Sequence, residues 1–107
     1  MTPRLKSGLW VQATLRTNLN GAVLHKGDPD AGGILVVLRG RRGLAVYSRI
    51  TGPDGEAAWM RAIGADPLSE QEADAYIARQ LGRDPDLWVI ELDAPDLAPP
   101  FEGRIVS

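Results

Sequence analysis

The sequence predicts an α+β domain, a mainly antiparallel sheet of about five strands packed against two helices in the order α-β-β-β-β-α-β. Three observations lead to this class. Short apolar segments bounded by glycine, proline and aspartate recur through the first part of the chain, as in successive strands. A segment with a complete helix-capping pattern follows them. That helix leads through a proline turn into one further strand of alternating character.

Length and composition indicate one globular unit. The chain has 107 residues, of which 44% are hydrophobic and 24% charged, so we expect a single domain over residues 1–94 and a proline-rich tail over residues 95–107. There is no cysteine, the first residues lack an apolar leader, and the apolar run Ile34–Leu38 is too short to span a bilayer. These features predict a cytoplasmic protein with no membrane association.

The first element, Leu9–Leu19, fits two periods. Alternate apolar residues favour a strand, whereas Val11, Leu15 and Leu19 recur at four-residue spacing, which favours a helix. Ser7 is placed to cap a helix, and an Asn-Gly pair is placed to end it. We therefore predict a helix here.

Four strands are predicted next. Ala22–His25 is the first, and the loop Gly27–Gly33, which has turn residues at nearly every position, separates it from the second. The second, Ile34–Leu38, is apolar on both faces, as expected for a strand inside a covered sheet. Short links then join it to Leu44–Ile50 and Glu56–Arg61, which predicts an antiparallel meander.

The clearest local pattern is the second helix. Ser69 and Glu72 match a capping box, in which each side chain bonds the other residue's amide. Gly82 is predicted to end the helix in a left-handed conformation, and Pro85 bars its continuation. A final strand, Leu87–Leu92, follows. Its core-facing side chains are predicted to be Trp88, Ile90 and Leu92.

Three segments, Leu9–Arg16, Gly27–Gly32 and Arg83–Glu91, resemble an alphaproteobacterial family of uncharacterised proteins, the domain of unknown function 1491 (DUF1491). The resemblance runs from about Arg4 to Asp93, and the Asp-Pro-Asp-Leu-Trp run after the helix is its most specific part. The tail lies outside it. The resemblance implies a stand-alone bacterial cytosolic domain and brings no reaction, cofactor or partner with it.

Charge is distributed unevenly along the chain. Residues 1–61 carry nine basic and four acidic side chains, whereas residues 62–107 carry three basic and ten acidic ones, for a net charge of −2. This asymmetry has two readings: a polar surface for a protein partner or a homodimer, or opposite charges that meet across the folded domain.

Arg39, Arg41 and Arg42 concentrate positive charge at the hairpin between the second and third predicted strands. They are candidate binding residues. Contact with nucleic-acid phosphates is one possibility, but the net charge is negative and Tyr47 is the lone aromatic side chain in this pair of strands. Nucleic-acid binding is therefore disfavoured.

His25, Asp28 and Asp30 form a second candidate site, for a ligand or a metal. A closed zinc site needs four ligands, mostly Cys or His, and this chain has a single histidine and no cysteine. The two aspartates also lack the longer ligand series of a calcium loop. No metal site and no cofactor are predicted; a strand position for His25 and turn-capping roles for the aspartates account for these residues.

The leading functional hypothesis is a small non-catalytic binding or protein-interaction domain, with an unidentified protein or a second copy as partner. The alternative is a small ligand- or metal-binding protein or enzyme with its site near His25, Asp28 and Asp30. Nucleic-acid binding through Arg39–Arg42 is a lesser alternative. No catalytic residues are predicted, because no serine has a nearby base or an elbow motif.

Overall fold

In a computed structural model of the chain, residues 7–17, 20–30, 32–51, 57–64, 66–99 and 104–106 are described. They form two helices and six strands, which confirms the predicted α+β class and adds one short strand near the C-terminus. The elements are α1 (Ser7–Thr17), β1 (Ala22–His25), β2 (Ile34–Arg39), β3 (Leu44–Thr51), β4 (Ala57–Arg61), α2 (Glu70–Arg83), β5 (Trp88–Asp93) and β6 (Arg104–Val106).

All six strands belong to one sheet with the order β1-β5-β2-β3-β4-β6. The predicted meander is confirmed, because β2, β3 and β4 pair antiparallel in sequence. β5 lies between β1 and β2, antiparallel to the first and parallel to the second. β6 runs parallel to β4 at the far edge. Three of the five neighbouring pairs are thus antiparallel.

The two helices cover opposite faces of the sheet. Val11 of α1 packs in one apolar cluster, and Trp10 stacks near Trp59 of β4 with ring centroids 5.0 Å apart. Ala73 of α2 packs in a second cluster on the other face. β2 contributes to both, and the side chains of Ile34–Leu38 are no more than 3% exposed. This confirms the predicted central strand, since a strand covered on both faces is apolar throughout.

α2 begins as predicted and ends differently. Ser69 is its N-cap, and Glu72 completes the capping box. The predicted left-handed stop at Gly82 is wrong, because the helix runs through Gly82 to Arg83 and Gly82 does not have a positive φ. The C-cap, Asp84, is extended, with φ −141° and ψ 90°. Pro85 explains this, because the residue before a proline is pushed out of the helical region.

The predicted cap of α1 is also wrong. Ser7 is the first residue of α1 and not its N-cap, and its hydroxyl donates to the carbonyl of Gly32 and accepts from Nη2 of Arg49 at 3.2 Å. The Ser7 hydroxyl, which the local sequence pattern assigned to helix capping, therefore makes tertiary contacts instead. Leu19, the predicted last residue of this helix, lies outside the described residues. Within the described ranges, neither helix is long and apolar enough to cross a membrane.

The chain after β5 remains in contact with the sheet. The amide of Ala94 donates to the carbonyl of Arg39 at 3.0 Å, and Leu97 packs against the cluster on the α1 face. Further on, β6 pairs with β4 through Ala58↔Arg104, Trp59↔Ile105 and Met60↔Val106. Residues 94–97 thus form a short strap beside the end of β2.

Candidate functional site

The candidate residues divide between the two ends of the central strands. β2 and β5 are parallel, so their first residues share one end of the sheet and their last residues share the other. His25, Asp28 and Asp30 lie at the first end, where residues 27–30 and 32–33 pack against residues 84–88; we call this the loop junction. Arg39, Arg41 and Arg42 lie at the opposite end, which we call the arginine end.

Backbone hydrogen bonds hold the loop junction together. The amide of Asp28 donates to the carbonyl of Asp86 at 2.9 Å, and the indole Nε1 of Trp88 donates to the carbonyl of Asp28 at 2.7 Å. The amide of Gly8 in α1 donates to the carbonyl of Pro29 at 2.9 Å. Two loops nearly sixty residues apart and the start of α1 are therefore fixed to one another.

Both loops contain the sequence Asp-Pro-Asp, and both use it in the same way. Oδ1 of Asp28 accepts from the amide of Asp30 at 2.8 Å, and Oδ1 of Asp84 accepts from the amide of Asp86 at 3.1 Å. An aspartate that bonds the amide two residues on stabilises a turn locally. The two Asp-Pro-Asp segments thus form the same kind of turn and pack against each other. The carboxylates of Asp28 and Asp84 therefore have a role in folding.

Glycine is required where the loops touch. A Cβ atom at Gly27 or at Gly32 would overlap the carbonyl oxygen of Asp86. Only a residue without a side chain permits such a close backbone approach. The glycine-rich composition of this loop therefore reflects packing against the second turn.

His25 is half-buried and faces the same junction. Its Nδ1 lies 2.8 Å from the carbonyl oxygen of Leu87. Because a carbonyl only accepts, Nδ1 is assigned as the protonated nitrogen. Across the described ranges, no three or more Cys, His, Asp or Glu side chains converge as a metal would need. Each residue of this candidate site has instead a contact within the fold.

At the arginine end, Arg39 differs from Arg41 and Arg42 because it has ion-pair partners among the described residues. Its guanidinium forms ion pairs with Glu91 of β5 and Glu70 of α2. The hydrogen bonds that Arg39 donates to Glu91 and then to Glu70 raise the pKa of Arg39 above its ordinary value. This is the predicted meeting of opposite charges from the two halves of the chain, and it neutralises one of the three arginines.

Arg41 and Arg42 are exposed at the tip of the hairpin. The hairpin closes with a hydrogen bond from the amide of Gly40 to the carbonyl of Gly43 at 2.9 Å, and Gly43 has the positive φ of +142° that suits glycine. In the part of the chain that the structure describes, neither guanidinium forms an ion pair. Both charges are therefore available to a ligand.

Two concavities adjoin these side chains, and they share Arg42 and Pro67. The first has a volume of about 360 Å³ and the second about 460 Å³. The first is lined by Arg41, Arg42, Pro67, Pro95, Asp96 and Leu97. The second is lined by Arg39, Gly40, Arg42, Gly43, Leu44, Pro67, Leu68, Ser69, Glu70 and Glu72.

The walls of these concavities were missed by reasoning from sequence. Pro67 reaches the hairpin because Leu68 and Leu44 exchange backbone hydrogen bonds of 2.7 and 2.9 Å. Pro95 lies beside the hairpin because its carbonyl accepts a hydrogen bond from the amide of Arg41 at 3.1 Å. Neither residue carries a sequence signal for this position, because both contacts join distant parts of the chain.

Carboxylates stand beside the free arginines. Asp96 lines the first concavity, and Glu70 and Glu72 line the second. In the capping box the amide of Ser69 donates to Oε1 of Glu72 at 3.1 Å, and the hydroxyl of Ser69 accepts from the amide of Glu72 at 3.1 Å. Hydrogen bonding by the backbone and then the side chain of Ser69 lowers the pKa of Glu72. The surface is therefore of mixed charge, with two arginines that have no carboxylate partner among the described residues.

These features define a small domain in which a mixed sheet separates two helices and one end of the sheet presents two exposed arginines, Arg41 and Arg42. The chain belongs to the family described as protein of unknown function (DUF1491), whose model matches residues 5–102. The resemblance inferred from the sequence is thus confirmed. The family description assigns no activity.

Solved structures, two of them described as DUF1491 family proteins, have a similar fold. A crystal structure of a DUF1491 family protein from Caulobacter crescentus is 31% identical, with a TM-score of 0.83, and covers 96% of this chain and 100% of that one. An NMR structure of a DUF1491 family protein from the same organism is also 31% identical, with a TM-score of 0.84 and coverages of 99% and 100%. Protein Atu0922 from A. tumefaciens is 26% identical, with a TM-score of 0.75 and coverages of 88% and 89%. No curated protein matches the chain.

Proposed function

We propose that the protein is a small non-catalytic protein-interaction domain and that Arg41 and Arg42 bind carboxylates of a protein partner. One observation carries this proposal. Within the described ranges, both guanidiniums are exposed, lack an ion-pair partner and line concavities that adjoin each other. Guanidinium groups bind carboxylates through two parallel hydrogen bonds, which gives such contacts directional specificity.

The surroundings favour discrete carboxylates over a nucleic acid. Asp96, Glu70 and Glu72 flank the arginines and would repel a continuous phosphate backbone. Tyr47, the aromatic side chain of the adjoining strand, is 4% exposed and is closed to base stacking. A protein segment can place its carboxylates at the arginines and leave the acidic positions uncontacted.

The apolar walls supply the remaining contact. Pro67, Pro95 and Leu97 line the first concavity beside the arginines. Proline and backbone-anchored side chains lose little freedom on binding, so they contribute contact area at low entropic cost. Carboxylate recognition over an apolar wall is the interaction that this surface supports.

An NMR titration of the ¹⁵N-labelled protein with a peptide rich in aspartate and glutamate tests the proposal. We expect the largest shifts at Gly40–Gly43 and Leu97, and their loss in the Arg41→Ala/Arg42→Ala double variant. Arg79→Ala/Arg83→Ala is the matched control, because these arginines are also exposed and lie on α2. Shifts that persist in the first variant, or vanish equally in the second, contradict the proposal.

Two further arms of the titration distinguish the alternatives. A single-stranded oligonucleotide that binds more tightly than the peptide would favour the nucleic-acid reading of Arg39–Arg42. A divalent metal or metabolite that shifts His25, Asp28 and Asp30 would favour a ligand site at the loop junction. We also propose a cytoplasmic location, which the absence of cysteine from the sequence supports.

A further inference from the structure

We propose that the carboxylates bound by Arg41 and Arg42 belong to a second copy of the chain, so that the arginine end forms a two-fold symmetric homodimer. This inference rests on the proposed function and names its partner. It follows from the charges on the surface, from the way they are held and from the symmetry that would pair them.

The first concavity carries both signs of charge. Arg41, Arg42 and Asp96 line the same space of about 360 Å³. Within the part of the chain that the structure describes, Asp96 forms no ion pair with either arginine. A surface that presents an unpaired cation beside an unpaired anion is complementary to itself.

Two-fold symmetry pairs both groups at once. In a symmetric dimer, a contact from one residue to another is repeated in the opposite direction across the axis. If an arginine of the hairpin meets Asp96 of the second copy, then Asp96 of the first copy meets the same arginine of the second. Each dimer therefore gains two equivalent ion pairs from one geometric arrangement.

Asp96 is held at a defined position relative to the hairpin. The strap on which it lies is bonded on both sides: the amide of Arg41 donates to the carbonyl of Pro95 at 3.1 Å, and the amide of Leu97 donates to the carbonyl of Ala94 at 2.7 Å. Leu97 also packs against the core on the α1 face. Charges held on such a frame reduce the ordering cost of association.

The small size of the contact surface limits the expected affinity of the two copies for each other. The apolar contribution comes from Pro67, Pro95 and Leu97, and the two concavities involve fewer residues than the roughly 20–30 a side of a standard interface. We expect weak association that weakens further as salt screens the exposed charges.

Sedimentation equilibrium at low salt tests the inference. We expect the apparent mass to rise above the chain mass, towards twice that mass, as the concentration increases to about 1 mM, where a dimer with a dissociation constant of about 1 mM is half formed. Arg41→Glu/Arg42→Glu and, separately, Asp96→Arg should each weaken dimerisation by about tenfold or more, because like charges then face each other. Arg79→Glu, on exposed α2 surface, is the control and should dimerise as the wild type does.

An equimolar mixture of the two charge-reversed variants gives the decisive result. In the mixed dimer the new glutamates face the new arginine, and the native arginines of one chain face the native Asp96 of the other. We therefore expect heterodimers from two variants that are each monomeric alone. Circular dichroism spectra confirm that both variants are folded before they are mixed.

Three outcomes overturn the inference: a wild type that stays monomeric, a dimer that both charge reversals leave intact, or a mixture that fails to associate. Its failure is distinguishable from that of the proposed function. A monomer that still binds the acidic peptide through Arg41 and Arg42 retains the interaction domain and loses the homodimer. If the protein dimerises but does not bind the acidic peptide, its partner is a second copy of the chain and it has no general affinity for acidic segments.

Discussion

The polar groups at the two ends of the central strands differ in how far they find partners within the described part of the chain. At the loop junction, two Asp-Pro-Asp turns and the start of α1 satisfy one another through hydrogen bonds of 2.7–3.1 Å. At the arginine end, Arg39 is satisfied by Glu70 and Glu91, but Arg41 and Arg42 point outward with no ion-pair partner among the described residues. Strand pairs about 20 Å long, at roughly 3.3 Å per residue, separate the two ends.

The difference teaches where function should be sought in this fold. The loop junction contains the most recognisable sequence of the chain, and its polar groups are used to bring distant segments together. The arginine end has little sequence character, yet it presents charges that the described part of the chain leaves unpaired. In this fold the recognisable motif therefore indicates where loops pack together. The charges that the described part of the chain leaves unpaired indicate the surface that would bind a partner.

The largest expected effect breaks the loop junction. Gly27→Ala places a Cβ atom against the carbonyl of Asp86, so we expect it to lower the free energy of unfolding by about 2 kcal/mol, as for other overpacked sites. The matched control is Gly82→Ala, where no described atom other than those of the two chain neighbours and the helix's own backbone lies within 4 Å of the added Cβ atom. In a helix this change should stabilise by roughly 0.5–1 kcal/mol. Urea denaturation measures both, and equal effects would refute the packing explanation.

A smaller effect isolates one hydrogen bond of the junction. Trp88→Phe keeps an aromatic ring in the core and removes the Nε1 donor to the carbonyl of Asp28. We expect a loss of about 1 kcal/mol, the usual net value of such a bond. Tyr76→Phe, at a half-buried position on α2, serves as the control for removal of a polar group. Unchanged stability in Trp88→Phe would show that the indole donor contributes nothing.

The arginine end should respond to mutation in two different ways. Arg39→Ala removes both ion pairs; because Arg39 is exposed, we expect a loss of no more than about 1 kcal/mol. Arg41→Ala/Arg42→Ala should change stability by less than about 0.5 kcal/mol, as for surface positions without partners. Thermal denaturation at low and high salt should show salt dependence for the Arg39 contribution alone. A large loss in the double variant would indicate a structural role for the hairpin arginines.

The smallest effect concerns pH. Hydrogen bonds from Ser69 lower the pKa of Glu72 below its ordinary value of 4.5. The stabilising contribution of the charged carboxylate is therefore complete above pH 4.5 and is lost as the pH falls through the lower, folded-state value. We expect Glu72→Gln to melt below the wild type at neutral pH and to approach it in acid. A difference between the two proteins that grows as the pH falls would reverse the sign of this coupling.

Local structure could be predicted from sequence wherever a few adjacent residues determine it. Ser69 and Glu72 begin α2 as their spacing indicates, and the apolar run Ile34–Leu38 is the central strand. The failures have a common cause. Ser7 bonds Gly32 across the fold, and Gly82 stays helical because its neighbours, rather than its own freedom, set the helix end.

Pairing partners and ion pairs could not be predicted, because they join residues far apart in the chain. Nothing in the pattern of residues 88–93 indicates that this strand inserts between β1 and β2. β6 is three residues long and follows a run of prolines, so it leaves no periodic signal. The sequence indicated the hairpin arginines as a cluster. Among the described residues Arg39 alone of the three forms ion pairs, and its partners, Glu70 and Glu91, are 31 and 52 residues away from it.

The position of β5 has a consequence for the order in which the protein folds. β1 and β2 follow each other in sequence, yet each pairs with β5, which is synthesised some fifty residues later than β2. The meander β2–β3–β4 can form as soon as it leaves the ribosome, whereas β1, which among the described strands pairs with β5 alone, stays unpaired until β5 is made. Non-local parallel pairing makes folding slow. We expect a nascent chain that ends before β5 to hold the folded meander β2–β3–β4 with β1 still unpaired.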